Sequence, residues 1–343
     1  LSQHRILTTH VGSLPRSEEV FKLVFAKEAG EKIDMNHYDQ VIADAVQTVV
    51  RKQTDVGVDV VSDGEQSKIS YATYIKHRLN GFDGDSPRRT PKDLEEYPAF
   101  SKRASSSGGV PTYSRPQCVG PISVKDLKPL EVDLQNFKDA LSVSEATDAF
   151  MNAASPGVIA QFQPNQHYPD HSSYLYALAD AMKVEYEGIA EAGLVIQIDS
   201  PDLALGRHVL FKDQSDEEFV TMAELHIEAL NHALQNIPAE QLRLHVCWGN
   251  YQGPHHCDIE MKKILPAVLK AKPMALSFEG ANPRHSHEWS VFRDAKIPEN
   301  KVLIPGVLDS TTNFVEHPEL VAERICRFAD IVGRERVIAG SDC

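Results

Sequence analysis

The sequence predicts an α/β fold: a (β/α)8 TIM barrel with a polar hairpin or loop excursion after its second strand. Three observations predict it. Short apolar, β-branched runs alternate with helical patterns along the chain, the order expected of parallel α/β architecture. The strand-like runs are as many as such a closed barrel needs. The length of 343 residues, 42% of them hydrophobic, suits one large barrel and supplies a sizeable core.

The first strand is expected at residues 8–13, where Thr9-His10-Val11-Gly12-Ser13 runs into the turn Leu14-Pro15-Arg16. The second spans 58–65 and closes on Asp63-Gly64-Glu65. Further strands are expected at 158–162, 194–199, 242–248, 275–279, 302–308 and 337–343. Helical patterns separate them at 39–55, 172–192, 215–235, 259–271 and 318–332. A ninth apolar piece, 118–124, sits in a less regular region. One compositional break interrupts this order, at 83–117, with Pro87-Arg88-Arg89, Ser105-Ser106-Ser107-Gly108-Gly109 and Pro111. It reads either as a disordered loop or as a hairpin near the mouth of the site. The chain is thus expected to be one catalytic barrel over 1–343 with an insertion at 83–124. A barrel ending on its eighth strand lacks its closing helix, so the natural chain is expected to continue past residue 343.

Composition excludes several classes. A formal charge of −14 disfavours nucleic acid or an anionic membrane surface as partner. No apolar run approaches the ~20 residues of a membrane span, and the first ten residues do not resemble a signal peptide. Five scattered cysteines do not form a disulfide framework and suit a reducing, cytoplasmic setting.

The chemistry concentrates at strand ends. In a strand, residues two apart share a face, so His245 and Cys247 can bind one ion together. Glu279 ends the next strand and Cys343 the last. Two thiolates, an imidazole and a carboxylate form a zinc ligand set, and the C-terminal strand ends are where catalytic groups of such barrels converge. The plainer reading makes Cys247 and Cys343 small buried hydrophobes, with His245 a hydrogen-bonded core residue. Cys257 and Cys326 are taken to be of that buried kind. Glu65 and Asp199, also at strand ends, could hold the ammonium of an amino-acid substrate or could cap helices; for Asp63 the cap is preferred. His255, His256, His285 and His287 crowd nearby loops. Trp248, Trp289 and Tyr251 could offer stacking surfaces or simply pack.

Seven pieces carry a specific resemblance: Thr8 to Arg16, Asp63-Gly64-Glu65, Gln197-Ile198-Asp199, His245-Val246-Cys247, Ser277-Phe278-Glu279, Pro305-Gly306-Val307-Leu308-Asp309 and Ser341-Asp342-Cys343. Together the chain resembles the cobalamin-independent methionine synthase family, in a short, single-barrel form similar to the C-terminal catalytic domain. The resemblance implies a (β/α)8 barrel, zinc held by His245, Cys247, Glu279 and Cys343, and homocysteine bound by Ser13, Glu65 and Asp199. Members of that family continue with glycine after the last cysteine. They also carry a histidine at the position of Thr311, where it serves as a proton donor. With threonine there, His10, Asp309 or water is expected to supply the proton. Full-length members add an N-terminal barrel that helps to hold polyglutamyl folate.

The expected activity is methylation of a thiol, homocysteine to methionine, with a 5-methyltetrahydrofolate-type donor. The alternatives are alkylation of another thiol, such as coenzyme M by an epoxide, methyl transfer from methylcobalamin, or a metal-binding barrel without catalysis.

Overall fold

The computed structural model describes residues 2–107 and 113–343. Gly108, Gly109 and Pro111 of the serine–glycine stretch lie outside the described residues. Among the described residues ten strands occur in chain order: β1 (Leu7–Thr8), β2 (Val60–Val61), β3 (Leu79–Asp83), β4 (Gln117–Val124), β5 (Asp148–Ala154), β6 (Val195–Asp199), β7 (Leu242–Val246), β8 (Ala275–Phe278), β9 (Val302–Pro305) and β10 (Ile338–Ala339). Eight of them, all but β3 and β4, carry the α/β alternation that the sequence predicts.

The chain divides into two compact units. The first comprises 1–11, 88–110 and 199–343. In it β7, β8 and β9 pair in parallel and in register, with His245 opposite Ser277 and Ser277 opposite Ile304. Parallel bridges Leu303–Val337 and Gly306–Gly340 carry the order on to β10, which pairs in parallel with β1. β7, β8 and β9 are wholly buried, as expected of parallel strands covered on both faces. Helices Asp216–Ala233, Met261–Val268 and Pro318–Val332 belong to this unit. The first starts on a capping box between Ser215 and Glu218.

The second unit comprises 12–87 and 111–198. Here β2 pairs in parallel with β5, and β6 follows β5 in the sheet order. The expected excursion is a hairpin: β3 and β4 pair antiparallel, Leu79 opposite Val124 and Asp83 opposite Gln117. At its root Arg78 is buried between Asp133 (2.6 Å) and Glu185 (2.9 Å).

One expected strand is not a strand. Residues 158–162 form the end of helix Pro156–Phe162, and the missing strand is β5 just before it. Ser155 caps that helix, its hydroxyl accepting from Val158 N at 3.0 Å, and Pro156 opens the first turn. A five-residue stretch with one polar position, Gln161, is too short to show a period that tells strand from helix. Helices Glu18–Glu28 and Lys128–Ser142 were also unforeseen. β6 ends at Asp199 as expected, and the other expected strands stop short of their predicted C-terminal ends.

Candidate metal centre

Three ligand-type side chains converge in the first unit. One donor atom each from His245, Cys247 and Cys343 lies within 4.8 Å of the others. His245 stands in β7, Cys247 is the first residue beyond it, and Cys343 follows β10 by four residues. The sulfurs of Cys343 and Cys247 are 3.6 Å apart, and the Cys343 thiol donates to Cys247. That donation pulls the Cys247 thiol well below the usual range and holds Cys343 above it.

His245 Nδ1 is 3.1 Å from Asp199 Oδ1. Its other nitrogen, Nε2, is buried and has no hydrogen-bond partner among the described residues. Burial alone would lower the imidazole, but the bond to Asp199 and the neighbouring Cys247 outweigh it and raise His245 to about 10. The field at Nε2 therefore calls for a positive charge, which a metal ion supplies as well as a proton does. An imidazole beside two sulfurs is the donor set of a borderline-soft ion. Asp199 is then the carboxylate that fixes the ring's tautomer and orientation, a partner that metal-bound histidines usually have.

Glu279, one residue past β8, has its own set of donors. Its Oε1 accepts from Trp248 N at 2.9 Å, and its Oε2 from Asn282 Nδ2 at 2.7 Å and Arg284 Nη2 at 2.9 Å. Burial first, and then the charge of Cys247, raise this carboxyl to about 7. It is an electrostatic neighbour of the sulfurs rather than a member of the tight three-residue cluster.

Asp342 was not singled out from the sequence, yet it organises this end of the unit. Its carboxylate accepts from the backbone N–H of Gly280 (2.8 Å), Ala281 (2.9 Å) and Asn282 (2.8 Å), and from Asn282 Nδ2 (2.7 Å). This ties the residue before Cys343 to the loop after Glu279. The proximity of Asp342 to Cys343 in sequence was the only available signal. The glycine of the Pro305-Gly306 pair has a steric reason: a Cβ at Gly306 would meet Asp342 Oδ1 and come within 2.6 Å of Asp342 Cα.

The other expected residues fall as follows. His10 is in the first unit, where its carbonyl accepts from Arg243 Nη2 at 2.7 Å. Asp309 Oδ1 accepts from Thr311 N (2.8 Å) and from the Thr311 hydroxyl (2.7 Å). The Cys343 amide donates to Ser310 Oγ at 3.3 Å, which brings this turn beside the chain's last residue.

Ser13 and Glu65 lie in the second unit, Ser13 exposed and Glu65 buried. Gly64 and Glu65 both adopt positive φ, 63° and 55°, and Glu65 is the only non-glycine residue to do so among those described. Such strain persists only where the surroundings over-determine it. Arg16 does so here by donating to the carbonyls of Glu65 (2.6 Å), Gln66 (3.2 Å) and Lys68 (2.6 Å). Asp63 closes this turn, accepting from Glu65 N at 3.0 Å, rather than capping a helix.

Trp248 offers no stacking surface: it is fully buried against His285, with ring centroids 4.0 Å apart. His285 is bonded to Asp258 and Glu288, as its burial requires. Cys326 is exposed and Cys257 half-buried, so neither is the buried hydrophobe expected.

Comparison with known proteins adds the following. A family model described as the catalytic domain of cobalamin-independent synthase matches residues 6–87 and 158–343. A methionine synthase of Saccharolobus solfataricus is 27% identical over 341 residues, covering 98% of this chain and 87% of that protein. A methionine synthase of Sulfolobus acidocaldarius is 25% identical over 337 residues, covering 98% and 84%. Among solved structures, a B12-independent methionine synthase from Shewanella sp. W3-18-1 in complex with selenomethionine matches with a TM-score of 0.72 at 19% identity, covering 99% of this chain and 91% of that one. A putative vitamin-B12 independent methionine synthase from Listeria monocytogenes matches at 0.68 and 19%, covering 99% and 92%. At these identities the structural likeness shows the fold, an α/β barrel of the TIM type.

Proposed function

Because the chain belongs to the cobalamin-independent synthase family, matching its catalytic domain, we propose that it is a zinc-dependent S-methyltransferase that converts homocysteine to methionine. The observation that carries this reading is the convergence of His245, Cys247 and Cys343 within 4.8 Å, with the buried Nε2 of His245 left without a hydrogen-bond partner among the described residues.

Zinc would be held by His245 Nε2, Cys247, Cys343 and Glu279, and when bound it keeps a thiol deprotonated near neutral pH, so that the sulfur is nucleophilic. Asp199 holds the His245 ring in place through Nδ1. Glu279 has three donors of its own, from Trp248, Asn282 and Arg284, which would hold its carboxylate whether or not it ligates the ion. Burial of His245, Cys247 and Glu279 keeps water away and strengthens every charge interaction there. We assign the amino-acid end of homocysteine to Asp199 and, on the family resemblance, to Ser13 and Glu65.

The leaving amine of a methyltetrahydrofolate-type donor needs a proton. Thr311 cannot give one near neutral pH, and its hydroxyl is engaged with Asp309. We assign proton delivery to His10 or Asp309. Thr311 is also the observation that favours a second reading, with methylcobalamin as donor or coenzyme M and an epoxide as substrates.

The test combines metal content with a donor matrix. Protein purified without chelator should hold zinc in the thiolate site and should turn over homocysteine with methyltetrahydrofolate. Cys247→Ser should lose that zinc and at least ~10²-fold in turnover, the loss typical of an essential activating group. Full activity in zinc-free protein would overturn the metal role. Turnover with coenzyme M alone would move the substrate assignment to the second reading.

A further inference from the structure

A second cluster of ligand-type side chains lies in the first unit, on residues that the candidate metal centre does not use. Donor atoms of Asp93, His208 and Asp258 lie within 4.8 Å of one another. Asp93 comes from the short helix Lys92–Glu95, His208 from the helical turn Gly206–Val209, and Asp258 from the loop that begins at Cys247. Asp93 and His208 are both 0% exposed.

His208 is the telling residue. Neither ring nitrogen has a hydrogen-bond partner among the described residues. Nδ1 is 3.6 Å from Asp258 Oδ1, and Nε2 is 3.9 Å from Asp93 Oδ2, both beyond hydrogen-bond reach. Buried polar groups are almost always satisfied, so an imidazole set between two carboxylates and touching neither points to a missing occupant. Donors around an ion with bonds of about 2.0–2.2 Å stand roughly 3–4 Å apart, and one donor atom from each of these three residues lies within 4.8 Å of the others. Burial pushes the His208 imidazole down, against the pull of Asp258 and Asp93.

The carboxylates are already oriented. The Tyr251 hydroxyl lies 2.9 Å from both oxygens of Asp93. Asp258 Oδ2 is held by His255 Nδ1 (3.1 Å) and His285 Nε2 (3.0 Å), which leaves Oδ1 turned toward His208. These two histidines outweigh the effect of burial and hold Asp258 below the usual carboxylate range, so that it is charged. Ligands braced by a phenol and two imidazoles form a metal site with its outer shell in place.

We propose that Asp93, His208 and Asp258 bind a second divalent transition-metal ion, of the kind that accepts one imidazole and two carboxylates. Two negative charges and a neutral ring balance a +2 ion. The thiolates of the first centre suit softer ions, whereas this donor set also accepts harder ones such as Mn2+. Asp93 lies outside the residues matched by the family model. The ion would pin the Lys92–Glu95 helix to the loop that carries Cys247, alongside the contacts of His256 with Glu96 (2.7 Å) and Lys212 with Glu95 (2.7 Å).

The test uses the full chain, loaded by dialysis against Zn2+ and, separately, titrated with Mn2+ and followed by electron paramagnetic resonance. Wild type should hold about two equivalents of zinc, and His208→Gln and Asp93→Asn about one each. Cys247→Ser should also fall to about one, held at the second site, so loss of either centre is read apart from the other. Mn2+ should bind wild type and Cys247→Ser alike and be lost with His208→Gln. Asp93→Asn keeps the side chain's shape and guards against misfolding of the histidine variant. Unchanged zinc and Mn2+ binding in both His208→Gln and Asp93→Asn would overturn the proposal, whatever happens at Cys247.

Discussion

His285 shows how one residue makes stability depend on pH. Burial would lower its imidazole, but the bonds to Asp258 and Glu288 outweigh burial and raise it to about 9. In an unfolded chain it titrates near about 6.5. Between these values the folded protein carries the extra proton. The stabilisation is therefore fully present below about pH 6.5 and is lost as pH rises through about 9. The gap in unfolding free energy between wild type and His285→Gln should shrink by roughly 2–3 kcal/mol across that range. Denaturant titrations at several pH values measure it, and a gap that stays flat contradicts the assignment.

At the scale of elements, the close approach of two strand ends fixes the candidate centre. Gly306 follows β9 and Asp342 follows β10, and no Cβ fits between them. Gly306→Ala should push Asp342 off the Gly280–Asn282 amides and shift Cys343 with it. Overpacking of this kind costs about 1–3 kcal/mol. The variant should melt lower and lose metal affinity, although it changes no ligand. Equal zinc affinity in Gly306→Ala and wild type, measured by competition with a chelator, would show that Asp342 does not position Cys343. The Asp63-Gly64-Glu65 turn is built on the same logic, since Arg16 holds its strained backbone through three carbonyls.

At the scale of the whole molecule, all four candidate zinc ligands belong to the first unit. A ligand that binds only the folded state stabilises what it touches. Chelation should therefore raise hydrogen exchange first in β7, β8 and the residues after β10. The Arg78–Asp133–Glu185 cluster of the second unit should exchange as before. Mass-spectrometric exchange with and without chelator tests this, and a uniform rise across both units would contradict it.

The sequence by itself determined the α/β class, the site of the excursion and the place of most strands, because these follow from local periodicity and from apolar runs flanked by polar turns; that the excursion is a hairpin and not a disordered loop was decided by the structure. The sequence failed at 158–162, where a five-residue, mostly apolar stretch is too short to show a period and a serine–proline start tipped it into a helix. It also singled out His245, Cys247, Glu279 and Cys343, since ligand chemistry at strand ends is visible in residue type and spacing. Only the tertiary structure decided what those residues touch. Asp199 turns to His245, Asp342 clamps the loop after Glu279, and Asp93 meets His208 and Asp258 across more than a hundred residues of chain. Such partners are set by which loops the packed strands bring together. Hydrogen-bond reach of about 3 Å is a property of that packing and leaves no local mark in the sequence.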